Sequence, residues 1–233
     1  MFIWLGQAVK LFVAIRSKYI HLIMLVNITI SVLLILAVYL LGSIPTGYLV
    51  GRYLKGIDIR EHGSGSTGAT NVLRTVGKFP AIAVLAIDLL KGLCAIALID
   101  LVYAYTDILP VSWHDWLIVA TALSAIIGHS KSVWLNFTGG KSVATTLGIL
   151  LIMNPVVALG TLTSFGIVLA ISRIVSLSSI CGAIAVNILM VVLNQPLPYC
   201  VFAAVAGLYV ILRHKTNIQR LLAGNEPKIG QAS

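Results

Sequence analysis

Apolar residues dominate this chain in long runs, and the polar residues collect in short stretches between them. Seven apolar segments can be read, at 29–51, 80–104, 114–129, 142–154, 155–172, 176–194 and 198–213. Most are long enough for a helix to cross hydrocarbon, which takes about 20 residues. The segment at 142–154 is short for that, and Asn154-Pro155 closes it. A proline removes a backbone donor and ends a helix, so the fourth and fifth segments are expected to be tilted or partly re-entrant. The pattern predicts an all-α, polytopic membrane helical bundle of about seven transmembrane helices. Residues 1–28 form an N-terminal extension in this reading, and 29–233 a single integral membrane domain.

Composition agrees. The 233 residues are 59% hydrophobic and only 10% charged, with a mean hydropathy of +1.02. Soluble domains carry about 25% charged residues. The net charge of +9 does not point to nucleic acid, because the basic residues lie in loops between apolar spans. Cys94, Cys181 and Cys200 are scattered through apolar runs without metal-ligand or redox spacing. Acids are scarce and form no Asp-x-x-x-Asp or His-Glu-x-x-His pattern. No metal site is therefore expected, and metal-dependent phosphotransfer is disfavoured.

The basic residues also orient the chain. Arg52, Lys55, Arg60, Arg74 and Lys78 fall in the loop at 52–79, and Lys131 and Lys141 in that at 130–141. Arg173 sits in the next turn of the same set, and Arg213, Lys215, Arg220 and Lys228 in the tail. The alternate connections at 105–113 and 194–198 carry none. The positive-inside rule then puts the basic loops and the C-terminus in the cytoplasm. Lys10, Arg16 and Lys18 break the pattern. Phe2–Ile15 reads as an interfacial segment, a partial span, or the product of an early start, with Met24 as an alternative one. No internal repeat is visible, which counts against a transporter built from two related halves.

Three stretches carry candidate chemistry. Gly63-Ser64-Gly65-Ser66-Thr67-Gly68-Ala69-Thr70-Asn71 supplies glycines, hydroxyls and an amide, with Arg74 and Lys78 following at helical spacing. Backbone N–H groups in such a loop can converge on an anion, and a flexible loop is the plainer alternative. Gly139-Gly140-Lys141-Ser142 opens an apolar segment, where a helix N-terminus favours phosphate. In the tail, His214, Asn217 and Leu221 share a helix face, and Arg213, Asn217 and Arg220 can lie close together, which suits either an anion site or a basic end lying on anionic lipid. Asp88 and Lys91, three apart inside an apolar segment, read as a structural ion pair.

Together these stretches resemble the PlsY family of bacterial membrane glycerol-3-phosphate acyltransferases, which use acyl phosphate as donor. The resemblance covers about residues 30–230. It rests on Gly42–Tyr48, on Gly63–Arg74 with Ser66 in place of an asparagine, and on Asp88-x-x-Lys91-Gly92. It continues with Gly128-His129, Gly139-Gly140-Lys141, His214-x-x-Asn217-Ile218-x-Arg220 and Glu226. The family usually has Lys-Gly-Gly-Lys-Gly, where this chain has Thr138 and Ser142 at the outer positions, and the proline usual after Gly-His is absent.

The resemblance implies a site facing the cytoplasm of the bacterial inner membrane and no cofactor. It implies transfer of an acyl group to the 1-hydroxyl of glycerol 3-phosphate, giving lysophosphatidic acid and phosphate, with a separate enzyme supplying the acyl phosphate. A transporter of a phosphorylated metabolite is the alternative. Ser64, Arg74, His214 and Asn217 would line the catalytic centre. Gly63, Gly65, Gly68, Thr70 and Asn71, with Gly139, Gly140 and Lys141, would bind substrate. Asp88, Lys91 and Glu226 would give structural support. Asn217, beyond the last span, is expected to add little to folding. An acyl phosphate is already activated, so no enzyme nucleophile is required. The chain has neither a Gly-x-Ser-x-Gly elbow nor a His-x-x-x-x-Asp motif.

Overall fold

The computed structural model describes residues 2–230, with side chains from Arg16 onward. Among these residues ten α-helices follow one another: α1 Phe2–Ser43, α2 Thr46–Lys55, α3 Ala69–Thr75, α4 Lys78–Tyr105, α5 His114–Ser130, α6 Val143–Met153, α7 Pro155–Ser172, α8 Val175–Val192, α9 Leu197–Arg213 and α10 Lys215–Leu222. Among the described residues the only extended pairing is a single bridge, Ser132 to Thr138.

Every apolar segment is helical, but not every one crosses as a single rod. The segment at 29–51 is two helices, because Pro45 has no N–H to give and biases Ile44 away from helix. Upstream, α1 runs through residue 28 without a break. The side chains of Phe2–Ile15, read above as an interfacial segment, lie outside the described residues. Among the described residues five helical stretches are long and apolar enough to cross a membrane, or six if α9 with α10, bent by 59°, is one broken span. The 11 residues of α6 reach only about 16 Å, roughly half the hydrocarbon thickness. The loop before α6 explains this: it folds back into the bundle, where Ser142 Oγ donates to the Ile126 carbonyl at 2.8 Å, one turn inside the end of α5.

With little hydrophobic drive between helices in lipid, close backbone approach holds the bundle together. Gly42 faces the backbone of Ala125, and Gly128 that of Tyr39 and Ser43, where α1 crosses α5. Gly92 meets Thr145 and Gly148 meets Leu89 where α4 crosses α6. A Cβ at any of the four would strike backbone atoms. Val38, Ile96, Ile99, Ile126, Ile149 and Phe202 fill the core between these crossings.

The broken first segment is mended by charge. Asp88 and Lys91 are both buried and pair at 2.7 Å. Lys91 Nζ also donates to the Ile44 carbonyl at 2.6 Å and to Thr46 Oγ1 at 2.5 Å. The ammonium thus adds a charged donor at the Pro45 break, beside the Thr46 N–H that the Ile44 carbonyl also accepts at 3.0 Å.

The loops sort to two ends. At one end Arg60 Nη1 donates to Thr138 Oγ1 at 3.2 Å, Arg74 Nη2 to the Pro227 carbonyl at 3.5 Å, and Arg173 Nη2 to that of Ile229 at 3.0 Å. At the other, His114 lies between Asp100 and Asp115, at 3.1 and 3.0 Å. The basic loops therefore share one end, as their alternation along the sequence requires.

Candidate active site

The glycine-rich loop is organised by one side chain. Asn71, almost fully buried in α3, donates from Nδ2 to the carbonyls of Ile59, His62 and Ser66 at 2.8–3.0 Å. Its Oδ1 accepts from the Ser64 N–H at 2.8 Å. Gly63 and Gly65 both have left-handed φ, and a Cβ on Gly63 would strike Asn71 Oδ1. These glycines are present because the loop closes tightly over the amide. The Asn71 side chain, expected to bind substrate, is occupied by the loop instead. Ser64 is held at the exposed surface of the loop. Gly68 caps α3, its N–H donating to Ser66 Oγ at 3.3 Å, and Thr70 lies half-buried in the first turn. Arg74 and Lys78 do not share a helix face, because α3 stops at Thr75 and Gly77, at φ 141°, starts α4 in a new direction.

Asp58 and Arg60 tie this loop to the next. Arg60 Nη2 meets Asp58 Oδ2 at 2.6 Å, and the guanidinium lies 5.3 Å from the centre of the Tyr48 ring. Its Nη1 reaches Thr138, the position where the resemblance leads one to expect a lysine.

The second loop runs over His129. Gly140 N–H donates to the His129 carbonyl at 3.1 Å, and both Gly139 and Gly140 pack so closely on His129 that neither has room for a Cβ. Arg213 Nη2 donates to the carbonyls of Gly139 and Gly140 at 3.4 and 3.2 Å. Lys141 follows directly, and its Nζ donates to Asn217 Oδ1. Burial, and the charges of Arg220, Arg213 and Arg74, push the Lys141 ammonium down to about 8, against the opposing pull of Glu226.

From Asn217 the network continues through Nδ2 to Glu226 Oε1 at 2.6 Å. The same oxygen accepts from Ser176 Oγ at 2.7 Å, and Oε2 accepts from Arg220 Nε at 2.7 Å. Burial works to raise Glu226, but hydrogen bonds from Asn217, Ser176 and Arg220 hold it below the ordinary carboxylate range. His214 sits buried in the bend between α9 and α10, with Nδ1 at 2.7 Å from the Val210 carbonyl. A carbonyl only accepts, so Nδ1 carries the proton and Nε2 is left as the ring's second site.

The residues expected at the site are thus brought together unevenly. Lys141, Asn217 and Glu226 form one continuous chain of contacts, and Arg74 joins it at Pro227. Among the described residues no hydrogen bond links the Ser64 side chain to Arg74 or His214. Sequence reasoning missed Ser176, and it grouped Arg213 with Asn217 and Arg220 without its contact to the second loop. Ser176 carried no signal, being one of several serines in an apolar helix. Arg213 was legible as a cation beside His214 but not as the partner of a loop 73 residues away. Among the described residues no group of three or more His, Cys, Asp or Glu is arranged to hold a metal ion.

The sequence model of the glycerol-3-phosphate acyltransferase family matches residues 32–224. This chain belongs to the glycerol-3-phosphate acyltransferase family. A glycerol-3-phosphate acyltransferase of Rippkaea orientalis is 67% identical over 204 residues, covering 87% of this chain and 94% of its own. That of Crocosphaera subtropica is 62% identical over 204 residues, covering 87% and 95%. The crystal structure of PlsY, an integral membrane glycerol 3-phosphate acyltransferase, in its glycerol 3-phosphate form superposes with a TM-score of 0.77 at 36% identity. It covers 86% of this chain and 96% of that one. The lysophosphatidic acid form of PlsY gives 0.75 at 35% identity, covering 86% and 95%. The chain is accordingly a multi-span integral membrane acyltransferase of the PlsY family, and the transporter alternative is set aside.

Proposed function

We propose that this acyltransferase moves an acyl group from acyl phosphate to the 1-hydroxyl of glycerol 3-phosphate, at the cytoplasmic face of the bacterial plasma membrane. The hydroxyl oxygen attacks the acyl carbonyl carbon, and the carbon–oxygen bond to phosphate breaks. Phosphate leaves with the electron pair, and the hydroxyl proton passes to a phosphate oxygen or to His214 Nε2. Lysophosphatidic acid and inorganic phosphate result. A separate enzyme would supply the acyl phosphate, and the lipid product would leave into the bilayer. Residues 29–233 form the acyltransferase domain in this proposal, and 1–28 an extension to it.

One observation carries the reading: Lys141 touches Asn217, which is braced in turn by Glu226, and the Lys141 ammonium feels the charges of Arg74, Arg213 and Arg220. Two phosphorylated substrates repel each other, and a cluster of cations at one bundle end offsets that repulsion. Lys141 with Gly139 and Gly140 would hold glycerol 3-phosphate. Arg74, with Ser64 and the loop formed by Gly63, Gly65, Gly68 and Thr70, would face the acyl phosphate. Asn217 and His214 would line the reacting centre, and Asn71, Asp88, Lys91 and Glu226 would support it. Alignment of the two substrates is worth about 7–11 kcal/mol of barrier, so no covalent intermediate is needed. The test is an assay of purified protein with glycerol 3-phosphate and either palmitoyl phosphate or palmitoyl-CoA. Turnover with palmitoyl phosphate is expected. Robust turnover with palmitoyl-CoA alone would overturn the donor.

A further inference from the structure

We propose that His129 and Arg213 are positioning residues that clamp the Gly139–Gly140 turn from its two sides and so aim Lys141 at the phosphate of glycerol 3-phosphate. This rests on the reading of Lys141 given above.

The turn has two supports on different helices. From α5, the His129 carbonyl accepts the Gly140 N–H at 3.1 Å, and the imidazole lies directly against the Gly140 Cα. A Cβ on Gly140 would overlap His129 Nε2. The ring is backed in turn, its Nδ1 lying 3.6 Å from Asp88 Oδ1, which is itself paired to Lys91. Ring, carboxylate and ammonium are all buried, so the turn rests on a stack that solvent does not soften. From the end of α9, Arg213 Nη2 draws in both carbonyls of the turn, at 3.4 and 3.2 Å. Its Nε is buried with no hydrogen-bond partner among the described residues. A buried, unpaired guanidinium nitrogen is costly, and the side chain keeps this position while serving two carbonyls with one nitrogen.

The next residue after this double support is Lys141, whose Nζ meets Asn217. Peptide planarity leaves only two soft torsions per residue, so fixing both carbonyls and one N–H of the turn fixes where the Lys141 side chain begins. Gly140 does not adopt a left-handed φ, so its identity is explained by the His129 ring and not by backbone conformation.

The test is a double-mutant cycle between His129→Ala and Gly140→Ala, with Arg213→Gln and Arg213→Lys beside it. Each purified variant is checked for folding by thermal unfolding. Two quantities are read: the Michaelis constants for both substrates, and the glycerol 3-phosphate concentration that half-saturates the thermal shift. Gly140→Ala is expected to weaken glycerol 3-phosphate binding about tenfold or more alone, and by much less once His129→Ala has removed the ring. Arg213→Gln is expected to raise the glycerol 3-phosphate constant about tenfold, leaving that of the acyl donor within about twofold. Arg213→Lys is expected to recover only part, since the shorter lysine side chain places its ammonium short of where Arg213 Nη2 meets the two carbonyls. Multiplicative losses in the cycle, or equal effects on both substrates, would overturn the clamp. Failure of palmitoyl phosphate as donor, with glycerol 3-phosphate binding intact, would overturn the proposed reaction and leave the clamp standing on the binding data.

Discussion

Asn217 Nδ2 donates to Glu226 Oε1 at 2.6 Å, and both residues are buried although both lie past the long apolar part of α9. The contact turns the tail into a wall of the site. It also revises the expectation that Asn217 matters little for folding. Asn217→Ala leaves Glu226 and Lys141 each short of a partner, which costs about 1–3 kcal/mol. A lower unfolding temperature together with lost activity is expected. A variant with unchanged stability would return Asn217 to a purely catalytic role.

Lys141 and Arg74 should separate kinetically. Lys141→Ala is expected chiefly to raise the Michaelis constant for glycerol 3-phosphate, and Arg74→Ala to lower turnover. Each loses a charge-assisted contact of about 1.5–3 kcal/mol, or roughly one to two decades. Steady-state kinetics on folded protein checks both. Unchanged glycerol 3-phosphate saturation in the first, or wild-type turnover in the second, would reverse the assignment.

The depressed value of Lys141, about 8, gives a pH dependence with a definite sign. The charged form is the acid form, so the ammonium is complete well below pH 8 and is lost as pH rises through it. Binding of the phosphate dianion, itself fully formed above a pKa of about 6, should therefore weaken above pH 8. The expected profile of kcat/KM for glycerol 3-phosphate falls on the alkaline side near pH 8. Lys141→Arg, if active, should carry that fall to higher pH. A fall at the same pH in Lys141→Arg would assign it to another group.

Lys91 answers to stability more than to rate. Lys91→Met leaves the buried Asp88 carboxylate without its ion-pair partner, and a broken buried pair costs about 3–5 kcal/mol. Removing both charges, in Asp88→Leu/Lys91→Met, should recover part of that loss. Thermal unfolding in detergent compares the two. A double variant less stable than Lys91→Met would mean that the Asp88 carboxylate is not stranded by the loss of Lys91.

Sidedness is open to a direct measurement. In a variant lacking Cys94, Cys181 and Cys200, single cysteines at positions 60 and 215 should resist impermeant thiol reagents in intact cells. Cysteines at 107 and 196 should react. The reverse pattern would place the basic loops, and the site with them, outside.

Much of this was legible in the order of residues, and the limits are physical. The seven apolar segments are all helical, because a chain this apolar must satisfy its backbone within each segment. The break at Asn154-Pro155 was readable from proline chemistry, and the same chemistry at Pro45 lay hidden inside an apolar run. Gly139-Gly140-Lys141 was readable as a turn before a helix. That the turn needs its glycines to rest on His129 was not, since the reason is a neighbour and not a torsion.

The sequence by itself determined the apolar spans, the alternation of basic loops and the set of polar residues available for chemistry, because hydrophobicity, charge and proline act locally. Tertiary structure alone decided which of those residues meet. Asn71 spends its amide on its own loop, Arg74 parts from Lys78 at Gly77, and α6 starts deep enough for 11 residues to suffice. Lys141 finds Asn217, 76 positions away. Such contacts depend on where helices cross, and the crossings here are set by single missing Cβ atoms at Gly42, Gly92, Gly128 and Gly148, whose effect appears only when two helices are laid together.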